Sequence, residues 1–174
     1  MKSHKTQTII FLALLAGTAV LFWFAFLRSP AQNFDESKKN AVTFEINVKN
    51  LLQNIQELDR DKQELVPADG LIFPAVTVLA YENESVFGIL QRVTRENRIH
   101  MAARFTPLIG DAYVEAIHNI FEGDAGALSG WMFSVNGEFP SVSASAHIVQ
   151  PNDIIVWAYT LDLGRDLGAN GEDW

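Results

Sequence analysis

The side chains in this sequence that could do chemistry are aromatic rather than nucleophilic. In the run SGWMFSVNG, Trp131 and Phe133 alternate with Met132 and Ser134, and further on DIIVWAYT supplies Tyr159. Rings spaced this way could form a flat platform for a planar ligand, because they give large contact area at small entropic cost. The same alternation also describes the core of a small sheet, so platform and core are two open readings of these residues. Nothing beside them would make or break a bond. Ser129, Ser134 and Ser141 have no base at a fixed offset, and no G-x-S-x-G is present. His100, His118 and His147 are scattered without a neighbouring His, Asp or Glu at ligand spacing. Asp162, Asp166, Glu172 and Asp173 lack the spacing of a calcium loop. The absence of cysteine excludes disulfides, thiol nucleophiles and cysteine-bound zinc or iron–sulfur sites. The expectation is a binding protein rather than an enzyme, with no resident cofactor and no metal.

These residues need a sheet to hold them. Residues 131–135 read as a strand, and Asn136-Gly137 is the strongest short signal for a type I′ hairpin, whose two central residues both need φ > 0. The strand is therefore expected to return through Glu138 and its successors. A turn at Gln150-Pro151-Asn152-Asp153 leads into 154–159, β-branched and aromatic enough for a strand covered on both faces. Upstream, 41–48 alternates as a first strand should, and 71–81 is a second, with Pro74 marking an edge or an entry point. Residues 99–105 and 112–120 read as further strands. Residues 50–65 fit either a short helix or a long hairpin excursion. The clear helix is 85–97. Ser85 is its N-cap, and Val86, Ile89, Leu90 and Val93 form the apolar stripe. One helix packed on a mostly antiparallel sheet is an α+β domain.

Ahead of this domain lies a run of a different character. Residues 8–27 carry no charge and match the length that crosses the roughly 30 Å hydrocarbon core as a helix. Lys2 and Lys5 before it favour a cytoplasmic N-terminus, with the rest of the chain extracytoplasmic. A cleaved signal peptide, with secretion, is the competing reading, since Ser29-Pro30-Ala31 could serve as a cleavage site. The expected organisation is an anchor over 1–28, a polar linker over 29–40, the folded domain over 41–168 and a flexible tail over 169–174. The chain of 174 residues has a formal charge of −8. Beyond Arg28 the ten basic and twenty-one acidic side chains leave −11. That balance argues against a nucleic-acid partner, which would need a basic face.

The residues Tyr113-Val114, Ile117, Asn119-Ile120-Phe121-Glu122, Ser129-Gly130-Trp131-Met132, Ser134-Val135-Asn136-Gly137 and Pro140 form a pattern. With Asp153, Ile155, Trp157, Tyr159-Thr160 and Asp162-Leu163-Gly164, it resembles the DUF4430 family of bacterial surface domains. That family is similar to the C-terminal domain of transcobalamin and intrinsic factor. The resemblance implies a β-grasp-like domain of the soluble-ligand-binding type, and a small-molecule partner, with a cobalamin or other corrinoid as the candidate ligand. It implies that the ligand lies against the segment 126–139. The ligand-binding residues on this reading are Trp131, Phe133, Phe139, Tyr113 and Tyr159, and a histidine could serve as an axial ligand to a corrinoid's cobalt. Alternation puts Trp131, Phe133 and Val135 on one face. Phe133 and Val135 are therefore expected in the core, with Trp131 only partly buried near Tyr113 or Tyr159 and Phe139 at the lip. Two features depart from the family. Cysteines found in members near Ala125, Ala144 and Leu161 are missing here, and the helical barrel that completes the vertebrate site has no counterpart in this sequence. A surface adhesion or assembly module, with a surface or transporter protein as partner and an exposed strand as its contact, is the alternative.

Overall fold

The alternating run near the start forms β1 (Asn40–Asn47), whose Val42, Phe44 and Ile46 are fully buried. The computed structural model describes residues 40–106 and 111–169. The expected anchor over 1–28, the linker up to residue 39 and the last five residues of the tail lie outside them. Residues Glu36–Trp174 form a compact unit, and the buried core cluster of the described residues lies within it. Among the described residues no helix is long and apolar enough to cross a membrane.

After β1 the chain takes the long hairpin excursion, and the strand that returns at residue 71 pairs antiparallel along β1. Residues 49–63 make two 3-10 turns and a single-turn helix, α1 (Arg60–Gln63), pinned inward by buried Leu51 and Leu58. Next come β2 (Leu71–Ala80) and α2 (Val86–Glu96). The register of β2 against β1 slips between Phe44–Val76 and Ile46–Phe73, which places Pro74 in the irregularity, where no ladder N–H is required. α2 matches its expected span. The Ser85 side chain accepts from the Gly88 N–H at 3.1 Å, and Val86, Ile89, Leu90 and Val93 are buried.

β3 (Met101–Thr106), β4 (Asp111–Ile117) and β5 (Ile120–Phe121) form a three-stranded sheet. The continuous strand expected over 112–120 is thus two strands. His118 and Asn119 both take positive φ, 56° and 62°, and reverse the chain as a two-residue turn. β6 (Gly130–Val135) and β7 (Ile154–Thr160) join β1 and β2 in a four-stranded sheet of order β2-β1-β7-β6. All its pairs are antiparallel except β1–β7, which is parallel. The Asn136-Gly137 turn forms as expected, with φ 56° and 85°. Its return does not. Glu138 makes a single bridge to Val135, and the strand that pairs along β6 is β7. Pro140, with no N–H to give, stands where a returning strand would continue the ladder.

Candidate functional site

Two strand edges face the same gap. β5 covers only Ala116 and Ile117 of β4, which leaves residues 111–114 without a partner strand on that side, although the Ala112 N–H donates to Ser145 Oγ at 3.0 Å. β6 ends the order of the larger sheet and pairs only with β7. Parity along β6 decides which backbone groups turn toward the gap. The Val135 N–H bonds to the Glu138 carbonyl at 2.8 Å, away from β7, while the Asn136 N–H bonds to Ile154. In an antiparallel ladder this alternates, so Trp131 and Phe133 also turn N–H and C=O away from β7. These four groups have no hydrogen-bond partner among the described residues.

The gap is a two-lobed apolar groove. The first lobe, about 290 Å³, is walled by Ala112, Val114, Phe133, Phe139, Val142 and Trp157. The second, about 470 Å³, is walled by Leu128, Gly130, Thr160, Leu163 and Arg165. Tyr113, Trp131 and Met132 line both. Trp157, one of the residues walling the first lobe, has a buried indole N–H with no partner among the described residues.

Trp131, Phe133, Phe139 and Tyr113 are brought together here, but the expected division of labour is reversed for the first two. Trp131 is the buried one (9% exposed), while Phe133 is only partly buried. The indole of Trp131 has a reason to turn in: its Nε1 donates to the Ile120 carbonyl at 2.8 Å, and it meets the Tyr159 ring edge-on at 5.3 Å. Phe133 lies against Trp157 at 5.4 Å and His147 at 6.1 Å, where the cover ends. Tyr159 is the ring beside Trp131, yet it is fully buried and lines neither lobe. Its hydroxyl lies 2.9 Å from Ser129 Oγ and donates to the Phe121 carbonyl at 2.7 Å, and burial pushes its pKa up.

Tyr113 stands at the junction of the lobes, half exposed, with its ring fixed from outside. Its hydroxyl bonds to Glu122, and the Arg104 guanidinium lies 5.6 Å from the ring centroid while pairing with Glu115 at 2.8 Å and Glu122 at 3.5 Å. The bond to Glu122 first, then burial, raises its pKa to about 12, so it is a neutral donor at physiological pH.

Leu128 and Met132 fall within the expected segment 126–139, whereas Leu163, Arg165 and the 140–144 segment were not foreseen as site residues. Leu163 and Arg165 belong to the Asp/Gly-rich stretch after Thr160, at the end of the expected domain, which folds back as far as Ala169, itself buried. Thr160 Oγ1 accepts from the Gly164 N–H at 2.7 Å and bonds to Asp166, which also receives the Leu161 N–H and Asn50 Nδ2, each at 2.8 Å. Burial works against the Asp166 charge, but the Thr160, Leu161 and Asn50 hydrogen bonds outweigh it and lower its pKa. The paired glycines Gly164 and Gly168, both at positive φ, were the available sign of a turn. Among the described residues no cluster of His, Asp and Glu could hold a metal ion.

Residues 83–160 match the family model described as "Domain of unknown function (DUF4430)", so the resemblance read from the motifs holds over that stretch. A search of curated proteins found no match. Among solved structures the chain is similar to haptocorrin in complex with Cbi, at 15% identity and a TM-score of 0.49, covering 78% of this chain. It spans 28% of the haptocorrin chain. It is also similar, at 12% identity and a TM-score of 0.37, to a proposed metal binding protein from Ruminococcus gnavus, covering 71% of this chain and 96% of that one.

Proposed function

With the DUF4430 match over residues 83–160 as premise, we propose that this chain is a membrane-anchored, extracytoplasmic binding module for a soluble small ligand. The observation that carries the proposal is the groove between β4 and β6. It is apolar, it is walled by Tyr113, Trp131, Phe133 and Phe139, and it has unpaired backbone groups at its edge. Small-molecule sites combine apolar walls with a few fixed polar groups in this way. A planar ligand with amide arms would meet both features, its plane against the rings and its amides on the Trp131 and Phe133 backbone. The corrinoid candidate comes from the family resemblance, and so does the β-grasp-like description of the domain. Binding rather than catalysis is proposed because the described residues that wall the groove are mainly apolar and aromatic. The anchor rests on the charge-free run 8–27, and protease added to intact cells should digest the domain while sparing that run.

The test is a binding titration of cobalamin and of cobinamide against the segment Glu36–Trp174. Saturable binding of either, weakened by Phe133→Ala, supports the proposal; no binding of either removes the corrinoid.

One observation favours a second reading, an assembly module acting through β-augmentation. The outer edge of β2 has no partner strand among the described residues, and Val76 and Leu79 are exposed on it.

A further inference from the structure

We infer that the ligand of this groove carries an anionic group, and that Arg165, presented by a strained lip, is the residue that selects for it. The inference rests on the reading of the groove as a small-ligand site and adds the chemical class of the ligand.

The lip is residues 161–165. Leu163 sits at φ +47°, a conformation that bulky side chains rarely adopt, and half of it remains exposed on the wall of the second lobe. Such strain persists only where the surroundings over-determine it. Here they do. The Leu163 N–H bonds to the Leu128 carbonyl at 2.9 Å. Thr160, 2% exposed, receives the Gly164 N–H at 2.7 Å and the Asp162 N–H at 3.1 Å. Gly164 lies so close to Met132 that an added Cβ would stand 2.6 Å from its Sδ. Core hydrogen bonds and close packing thus hold the loop in place. What that arrangement delivers to the groove is Leu163 and Arg165.

Among the described residues Arg165 is the only charged side chain on either lobe, and it is a cation in an acidic protein. Its Nη1 donates to Asp162 Oδ1 at 2.7 Å, but both side chains are largely exposed. A pair of that kind contributes about 0–1 kcal/mol and does not saturate the guanidinium. The other donors of its planar fork have no partner among the described residues, and that fork is suited to a carboxylate, sulfonate or phosphate group. A ligand with an apolar body in the shared space beside Trp131 and Met132 would therefore place its anionic end at Leu163 and Arg165. In a corrinoid that end is the phosphodiester of the nucleotide arm, which cobinamide lacks. In other ligands it is any carboxylate or phosphate.

The experiment uses Glu36–Trp174, which holds its own core, and a matched pair of fluorescent probes. Anilinonaphthalene sulfonate carries the anion, and N-phenylnaphthylamine has the same ring system without it. Leu128→Ser should weaken both equally, placing them in the second lobe. Arg165→Gln should weaken the sulfonate about tenfold, as loss of a charge-assisted contact implies, and leave the neutral probe unchanged. Arg165→Lys should recover part of the loss, and added salt should weaken only the sulfonate. Equal affinity of the sulfonate for the parent and Arg165→Gln, equal losses for the two probes, or no binding of either in the lobe would overturn the inference. Corrinoid titrations are scored separately. Failure of both corrinoids with the sulfonate result intact removes the corrinoid and leaves the anion site standing, whereas binding of cobalamin and cobinamide with identical dependence on Arg165 does the reverse.

Discussion

Trp131 belongs to the core and to the groove at once, and replacing it separates the two roles by magnitude. It is 9% exposed, so Trp131→Ala removes a nearly complete indole from contact with Tyr159 and costs about 3–5 kcal/mol. Part of that loss is the hydrogen bond to the carbonyl of fully buried Ile120, which is left without its donor. Trp131→Phe keeps most of the apolar area and loses the N–H, so it should cost about 1–2 kcal/mol. Against a total stability of roughly 5–15 kcal/mol, the alanine variant folds weakly and the phenylalanine variant folds well. Urea denaturation of Glu36–Trp174, monitored by far-UV circular dichroism, gives both values. A loss under about 1.5 kcal/mol for Trp131→Ala would refute the burial argument. Equal losses in the two variants would show that the ring contributes nothing beyond its hydrogen bond.

Gly164→Ala should destabilise by about 1–2 kcal/mol, because it puts a side chain at φ +83° against Met132; a neutral result would mean that Met132 and Thr160 do not clamp the lip. Glu122→Ala should bring the Tyr113 phenol down from about 12 toward about 10, read by ultraviolet absorbance of the phenolate. The raised pKa favours the protonated phenol in the folded state. Its contribution is therefore intact below about pH 10 and is lost as pH rises through about 12. An unchanged Tyr113 titration in the variant would mean that Glu122 is not its partner.

The parts of the fold that were legible in the sequence depend on neighbours a few residues apart. Ser85 and the Val86/Ile89/Leu90/Val93 stripe specify α2 locally, and Asn136-Gly137 specifies its turn because both residues tolerate positive φ. The strand pairing beyond that turn is not local. β6 finds its partner in β7, about twenty residues on, and no periodicity in 131–135 says so. The reversal at His118-Asn119 was hidden for another reason: the apolar run 112–120 continues through it, and only Asn119 is a usual turn residue. The groove is less legible still. Alternation assigns Trp131 and Phe133 to one face but not where along the strand the cover stops, and the cover comes from the 139–147 segment and β4. The lip is the clearest case. Its Asp/Gly-rich composition gives no local sign of what fixes it, yet Asp166 is held by Asn50, 116 residues away in sequence, a contact no local pattern reports.

The central claim, that the open edges of β4 and β6 receive a soluble small ligand, is tested most directly by backbone amide chemical shifts of Glu36–Trp174 during a cobalamin titration. The account predicts saturable shifts in the amides of Trp131 and Phe133 and in Tyr113 and Val114 across the groove, with β2 unmoved. Saturable shifts confined to the β2 edge would contradict it, and no shifts at all at ligand excess would remove cobalamin as the ligand.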